Sequence, residues 1–141
     1  MIPLVPGDIW CHHAYYRDAQ NNCRRKYLLV LSDVPGSGDG LVAVFTTKSN
    51  GLNTNPPCSL GNPREGYYVG VPGGVLTQES WVAFDSLDFL DELEVNSLVK
   101  VSMAIPTPLL CRVLRCLLQS SDITNSQARH IGNTAARLGC P

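Results

Sequence analysis

The stretch "YLLVLSDVPGSGDGLVAVFTT", residues 27–47, holds two short apolar runs joined by turn chemistry. "YLLVLS", 27–32, is rich in β-formers and has the length of a buried strand. "DVPGSGDG", 33–40, offers Pro35 and three glycines, which suit a reversal of the chain. "LVAVFTT", 41–47, is the returning strand. The tempting comparison of "PGSGDG" with a phosphate-binding loop fails, because no Lys-Ser/Thr and no helix follow it.

Working outward, "GDIW", 7–10, reads as a first strand, and the polar residues 11–26 as its end and a long loop. Residues 48–66 are Asn-, Pro- and Gly-rich and read mostly as loop. "YYVGV", 67–71, and "WVAFDSL", 81–87, are two further strands. The period then changes. Thr107 as N-cap and Pro108 at the first position open a helix with Leu109, Leu110, Val113, Leu114, Leu117 and Leu118 on one stripe. Arg112 and Arg115 fall off that stripe. A second helix, about 125–138, lines up Ala128, Ile131, Ala135 and Leu138, and Gly139 can end it. The expectation is a mainly β fold with C-terminal helices, a small curled antiparallel barrel. It forms one domain over 1–141: a barrel at 1–97, a C-terminal helix region at 98–120 and an appended helix at 121–141.

A hydrophobic content of 44% against 16% charged residues excludes a disordered chain. No apolar run approaches the roughly 20 residues of a membrane helix, and the N-terminus lacks the pattern of a signal peptide. A cytoplasmic protein without a membrane partner is expected. Cysteines stand at 11, 23, 58, 111, 116 and 140 with no C-x-x-C pair, so they are expected as reduced structural thiols, with disulfides or a metal as the alternatives. The net charge is −1, but its distribution is uneven. Residues 1–64 carry six Lys/Arg and four Asp/Glu, 65–99 seven acids and no Lys/Arg, 100–141 five bases and one acid. A nucleic-acid site must therefore be local.

One local cluster stands out: Arg24, Arg25 and Lys26 at the mouth of the 27–32 strand. The ordinary reading is a set of gatekeeper charges; the functional one is binding of a phosphate or carboxylate. Thr46 and Thr47 end the next strand beside Lys48. Alternation lets only one of the two threonines face a given site. His12 and His13 likewise point apart, so they cannot chelate one metal together, though one can carry a proton. The pairs Tyr15–Tyr16 and Tyr67–Tyr68 offer rings for stacking on unpaired bases, with one of each pair expected in the core.

The order of these pieces carries a resemblance. "PGDIWCHHAYY", then cations, "KYLLVLS", "GLVAVFTTKSN", "YYVGVPGGVLTQESWVAFDSLDFLDE" and "PTPLLCRVLRCLL" together resemble the MazF/PemK family of toxin ribonucleases over about residues 5–118. The resemblance implies an SH3-like barrel, usually a homodimer, that cleaves single-stranded RNA without a metal or other cofactor and is neutralised by a cognate antitoxin protein. The family's catalytic arginine stands before the strand and is followed by proline. Here Lys26 holds that place, Tyr27 replaces the proline, and Arg25 lies one residue earlier. The family's catalytic threonine falls on Thr46, and its polar strand-end residue near Asp85. The assignment is thus Arg25 and Thr46 as catalytic, with Arg24, Lys26, Thr47, Lys48, Tyr16 and Asp85 binding RNA, and Arg25 and Thr46 meeting over a common pocket. The departure at Lys26–Tyr27 keeps a non-catalytic barrel of the same type, or a gyrase-directed toxin, as alternatives.

Overall fold

A computed structural model describes residues 4–17, 19–20, 23–33, 39–61 and 63–141, the side chains of 14–17, 23–24 and 92 excepted. In chain order the elements are β1 (Asp8–Arg17), β2 (Cys23–Asp33), β3 (Gly40–Thr46), β4 (Cys58–Ser59), β5 (Gly66–Gly70), β6 (Ser80–Leu90), α1 (Glu92–Asn96), β7 (Val99–Ala104), α2 (Thr107–Leu118) and α3 (Asn125–Leu138). The strands form one seven-stranded sheet in the order β4-β5-β6-β3-β2-β1-β7, antiparallel at every pairing. The protein is therefore mainly β with helices toward its C-terminus. No helix among the described residues is long and apolar enough to cross a membrane.

The central strands lack an alternating pattern because both faces of the sheet are covered. Leu29, Leu31, Leu41, Ala43 and Phe45 point into the larger core with Leu110, Val113, Leu114 and Leu117 of α2 and Ile131 of α3. Their neighbours Leu28, Val30, Val42 and Val44 point the other way, into a second cluster with Leu4, Trp10, Leu90, Val95 and Leu98. A strand buried on both faces reads as a continuous apolar run, which is what residues 27–32 and 41–45 show. Burial of such side chains contributes about 1.5–3 kcal/mol each.

Both long helices lie close to the expected spans. The N-cap of α2 is Pro106, with no side-chain bond, so Thr107 is its first residue and not its cap. α3 begins at a capping box of Thr124 and Gln127 and ends at Gly139, whose φ of 70° is left-handed. Several elements differ from the sequence reading, the unexpected helix α1 among them. The 11–26 segment is largely the facing ends of β1 and β2, not a long loop. The short β4 interrupts the 48–66 loop. The region 98–120 opens with a strand, β7, which pairs with β1 through Trp10 opposite Lys100 and Cys11 opposite Val99.

The expectation of free thiols is also corrected. Cys58 is bonded to Cys116, tying β4 to α2, and Cys111 to Cys140, tying α2 to the end of α3. The thiol of Cys11 is free and buried. α3 is held to β2 by polar contacts as well. The buried Thr134 hydroxyl donates to Ser32 Oγ at 2.9 Å, and Ser32 donates to the His130 carbonyl at 3.1 Å. Arg137 donates to both carboxylate oxygens of Asp33, at 2.6 and 3.5 Å. The last helix is thus bonded to both β2 and α2.

Candidate functional site

The register of three neighbouring strands decides which polar residues share a face. Trp10 of β1 stands opposite Leu28 of β2, and Leu28 opposite Val44 of β3. All three side chains enter the second cluster. Two residues further along each strand, on the same face, His12 stands opposite Lys26. The β2–β3 pairing stops at Leu28–Val44, and alternation along each strand turns Lys26 and Thr46 to that same face. His12 and Lys26, paired across β1 and β2, and Thr46, turned the same way by alternation along β3, therefore make a polar rung on one face of the sheet beside the second cluster.

Arg25 is on the other face. It follows the direction of Tyr27, which packs against the larger core, and it is exposed. Its guanidinium acts on the Cys11 thiol, favouring the thiolate, while burial of Cys11 acts more strongly and pushes that thiol above its ordinary value of 9.0. His13 lies on the same side, its Nδ1 3.8 Å from Cys11 Sγ. The expected meeting of Arg25 with Thr46 over one pocket is therefore not what the register gives. Strand alternation separates them, and Lys26 is the cation that shares Thr46's face.

The remaining expected residues are distributed as follows. The Thr46 hydroxyl accepts the Lys48 N–H at 3.2 Å and so closes the turn leaving β3. Thr47 and Lys48 are exposed beyond it. Asp85 is engaged by Arg64, whose Nε and Nη2 donate to its two oxygens at 2.7 and 3.4 Å. That pair lines a separate recess with Glu65, Phe84, Ser121 and Asp122, and none of these lines the recess beside the rung. The side chains of Arg24 and Tyr16 lie outside the described residues, although their backbones pair across β1 and β2.

His12, one member of the rung, lines a recess of about 240 Å³ that the sequence reading missed. Leu28, Val42, Val44 and Leu90 form its apolar part, and His12, Ser86, Asp88, Glu94 and Ser97 its polar rim. β6 bulges where it crosses β3, between the pairs Val44–Ala83 and Val42–Asp88. Ser86 pins that bulge, accepting from the Val44 N–H at 3.3 Å and donating to the Ala83 carbonyl at 3.1 Å. Glu94 completes the capping box of α1 by accepting the Asp91 N–H at 3.3 Å. Asp88 makes no hydrogen bond or ion pair among the described residues. The only signal for this recess in the sequence was acid richness after residue 80, which does not reveal that β6 bulges and α1 folds back.

Among the described residues no three His, Cys, Asp or Glu side chains are grouped as a metal ion needs. A scan against protein-family models gives no match, and no match is found among curated proteins.

Proposed function

We propose that the chain is a toxin ribonuclease of the MazF/PemK type, an SH3-like barrel that cleaves single-stranded RNA without a metal. The observation that carries this reading is the rung His12–Lys26–Thr46, a proton carrier, a cation and a hydroxyl on one face of three adjacent strands. The residue types suit the reaction. The RNA 2′-OH attacks the adjacent phosphorus, the bond to the 5′-oxygen breaks, and the products are a 2′,3′-cyclic phosphate and a 5′-OH. Lys26 stabilises the charge that develops on the phosphate oxygens. Thr46 positions the phosphate, His12 takes the 2′-OH proton, and the departing 5′-oxygen takes a proton from water. Arg25, on the far face, is reassigned from the reacting phosphate to the flanking backbone.

In this reading the protein works in the cytoplasm, as a homodimer restrained by an antitoxin. Its disulfides run against that compartment, where thiols are normally kept reduced. RNA as the substrate is the reason for retaining it.

The test is incubation of the purified protein with total RNA in EDTA, followed by mapping of the ends. Cuts bearing 2′,3′-cyclic phosphate, with DNA of the same sequence left whole, support the reading. Absence of cuts at protein concentrations equal to the RNA rejects it. A second reading, a non-catalytic binding module, draws on the Thr46 hydroxyl being bonded to Lys48. It expects RNA to be retained and uncut.

A further inference from the structure

The recess beside the rung has features that the cleavage reaction does not require. It is about 240 Å³, below the roughly 300–1,000 Å³ of pockets for drug-sized ligands. Its apolar part suits a flat ring. Its polar rim carries two carboxylates, and of these Glu94 is committed to the cap of α1 while Asp88 is not. An unengaged carboxylate over an apolar floor calls for a ligand with hydrogen-bond donors on one edge of a small planar body.

We propose that this recess holds one unpaired guanine base of the bound strand, with Asp88 as its reader. The inference rests on the ribonuclease reading, because His12, one member of the rung that would act on the phosphate, lines the recess. Among the RNA bases guanine presents two parallel donors, N1–H and the N2 amino group, to a single acceptor group. A carboxylate matches that edge with its two oxygens, and a charged acceptor strengthens both bonds. Uracil offers one donor between two carbonyl oxygens, which the carboxylate repels. Leu28, Val42 and Val44 take the ring face out of water, and the imidazole of His12 at the rim supplies a surface for stacking. Position 88 thus sets which base is accepted, while the neighbouring rung acts on the backbone.

The experiment separates base reading from cleavage by using strands that cannot be cut. Fluorescence anisotropy is measured with single-stranded deoxythymidine heptamers carrying one central guanine, hypoxanthine or thymine. The expected result is at least tenfold tighter binding of the guanine heptamer than of the all-thymine one, with hypoxanthine, which lacks the N2 amino group, in between. Asp88→Asn should bring the three within about twofold of one another. Asp88 is exposed and unpaired, so circular dichroism and the thermal midpoint should match those of the parent. Equal binding of all three heptamers by the parent, or a guanine preference that survives Asp88→Asn, overturns the proposal, as does failure to bind any of them. RNA cleavage in EDTA is scored alongside. Cleavage without guanine preference removes this inference alone, and guanine preference without cleavage removes the ribonuclease reading alone.

Discussion

The hydroxyl of Thr134 on α3 donates to the hydroxyl of Ser32 at the end of β2, 2.9 Å away and wholly out of solvent. Ser32 closes the "KYLLVLS" run on which the family resemblance partly rests, while Thr134 belongs to the segment that the resemblance does not cover. The bond shows that the last helix is fastened to the central sheet by the same serine.

Replacing Thr134 with valine keeps the shape and removes the donor to Ser32 together with an acceptor used by Arg137 at 3.2 Å. A buried polar partner left unsatisfied costs about 1–3 kcal/mol. Thr134→Val should therefore lower the urea midpoint with an unchanged slope. Ser32→Ala combined with Thr134→Val should cost less than the sum of the single changes, since both ends of the bond are then gone. Additive costs would mean that the two hydroxyls do not interact.

The disulfides close loops of 58 and 29 residues in sequence separation. Loop-closure entropy gives about 4 kcal/mol for the longer and about 3.5 kcal/mol for the shorter. A phosphine reductant should therefore lower the thermal midpoint markedly. In a Cys111→Ala, Cys140→Ala variant the drop on reduction should shrink to that of the remaining bridge. A midpoint indifferent to reductant, with all six thiols titrated in denaturant without reductant, would show that the bridges do not form in solution.

How far the chain could be read from its sequence follows from the physics of each element. β2, β3, α2 and α3 were legible because their apolar runs are long or strongly periodic, and α3 also carries Gly139 at its end. β7 was not, because "VKVSMA" is six residues long and its partner β1 lies some ninety residues away in the chain. The choice between Arg25 and Lys26 was hidden for a related reason. Both faces of β2 are apolar, so the run has no alternation to tell which cation shares a face with Thr46. The Cys111–Cys140 pairing was set by the docking of α3, the Cys58–Cys116 pairing by the approach of β4 to α2, and the Asp88 recess by a bulge in β6. None leaves a local pattern.

Burial raises the Cys11 thiol above 9.0, with the Arg25 guanidinium opposing it. A thiol whose folded value lies above its unfolded one stabilises the fold at pH values below the unfolded value. That contribution is lost as pH rises through the folded value. Stability should therefore decline above about pH 9, the ordinary thiol value. Iodoacetamide at pH 8 should leave Cys11 unlabelled in the native protein, as read by peptide mass spectrometry. Arg25→Ala removes the opposing charge, so any labelling of Cys11 at pH 9.5 should slow further. Faster labelling in that variant would place Arg25 away from Cys11 and undo the face assignment.

The same assignment makes a sharper claim about cleavage. If the reacting phosphate sits on the face shared by Lys26 and Thr46, Lys26→Ala removes the group that stabilises its developing charge. Loss of one well-placed donor of this kind costs about 10²- to 10³-fold in rate. In that reading Arg25, turned toward Cys11, contacts the strand only beside the reacting bond. Arg25→Ala should then raise the KM for RNA severalfold, more so at high salt, and leave kcat within about threefold. Thr46→Val tests the third member and also removes the acceptor for the Lys48 N–H. Its thermal midpoint must accompany its rate, so that a loosened turn is not mistaken for lost chemistry. Single-turnover cleavage of one RNA in EDTA measures all three variants. A collapse of kcat in Arg25→Ala, with Lys26→Ala near the parent, would mean that the chemistry takes place on the opposite face of β2.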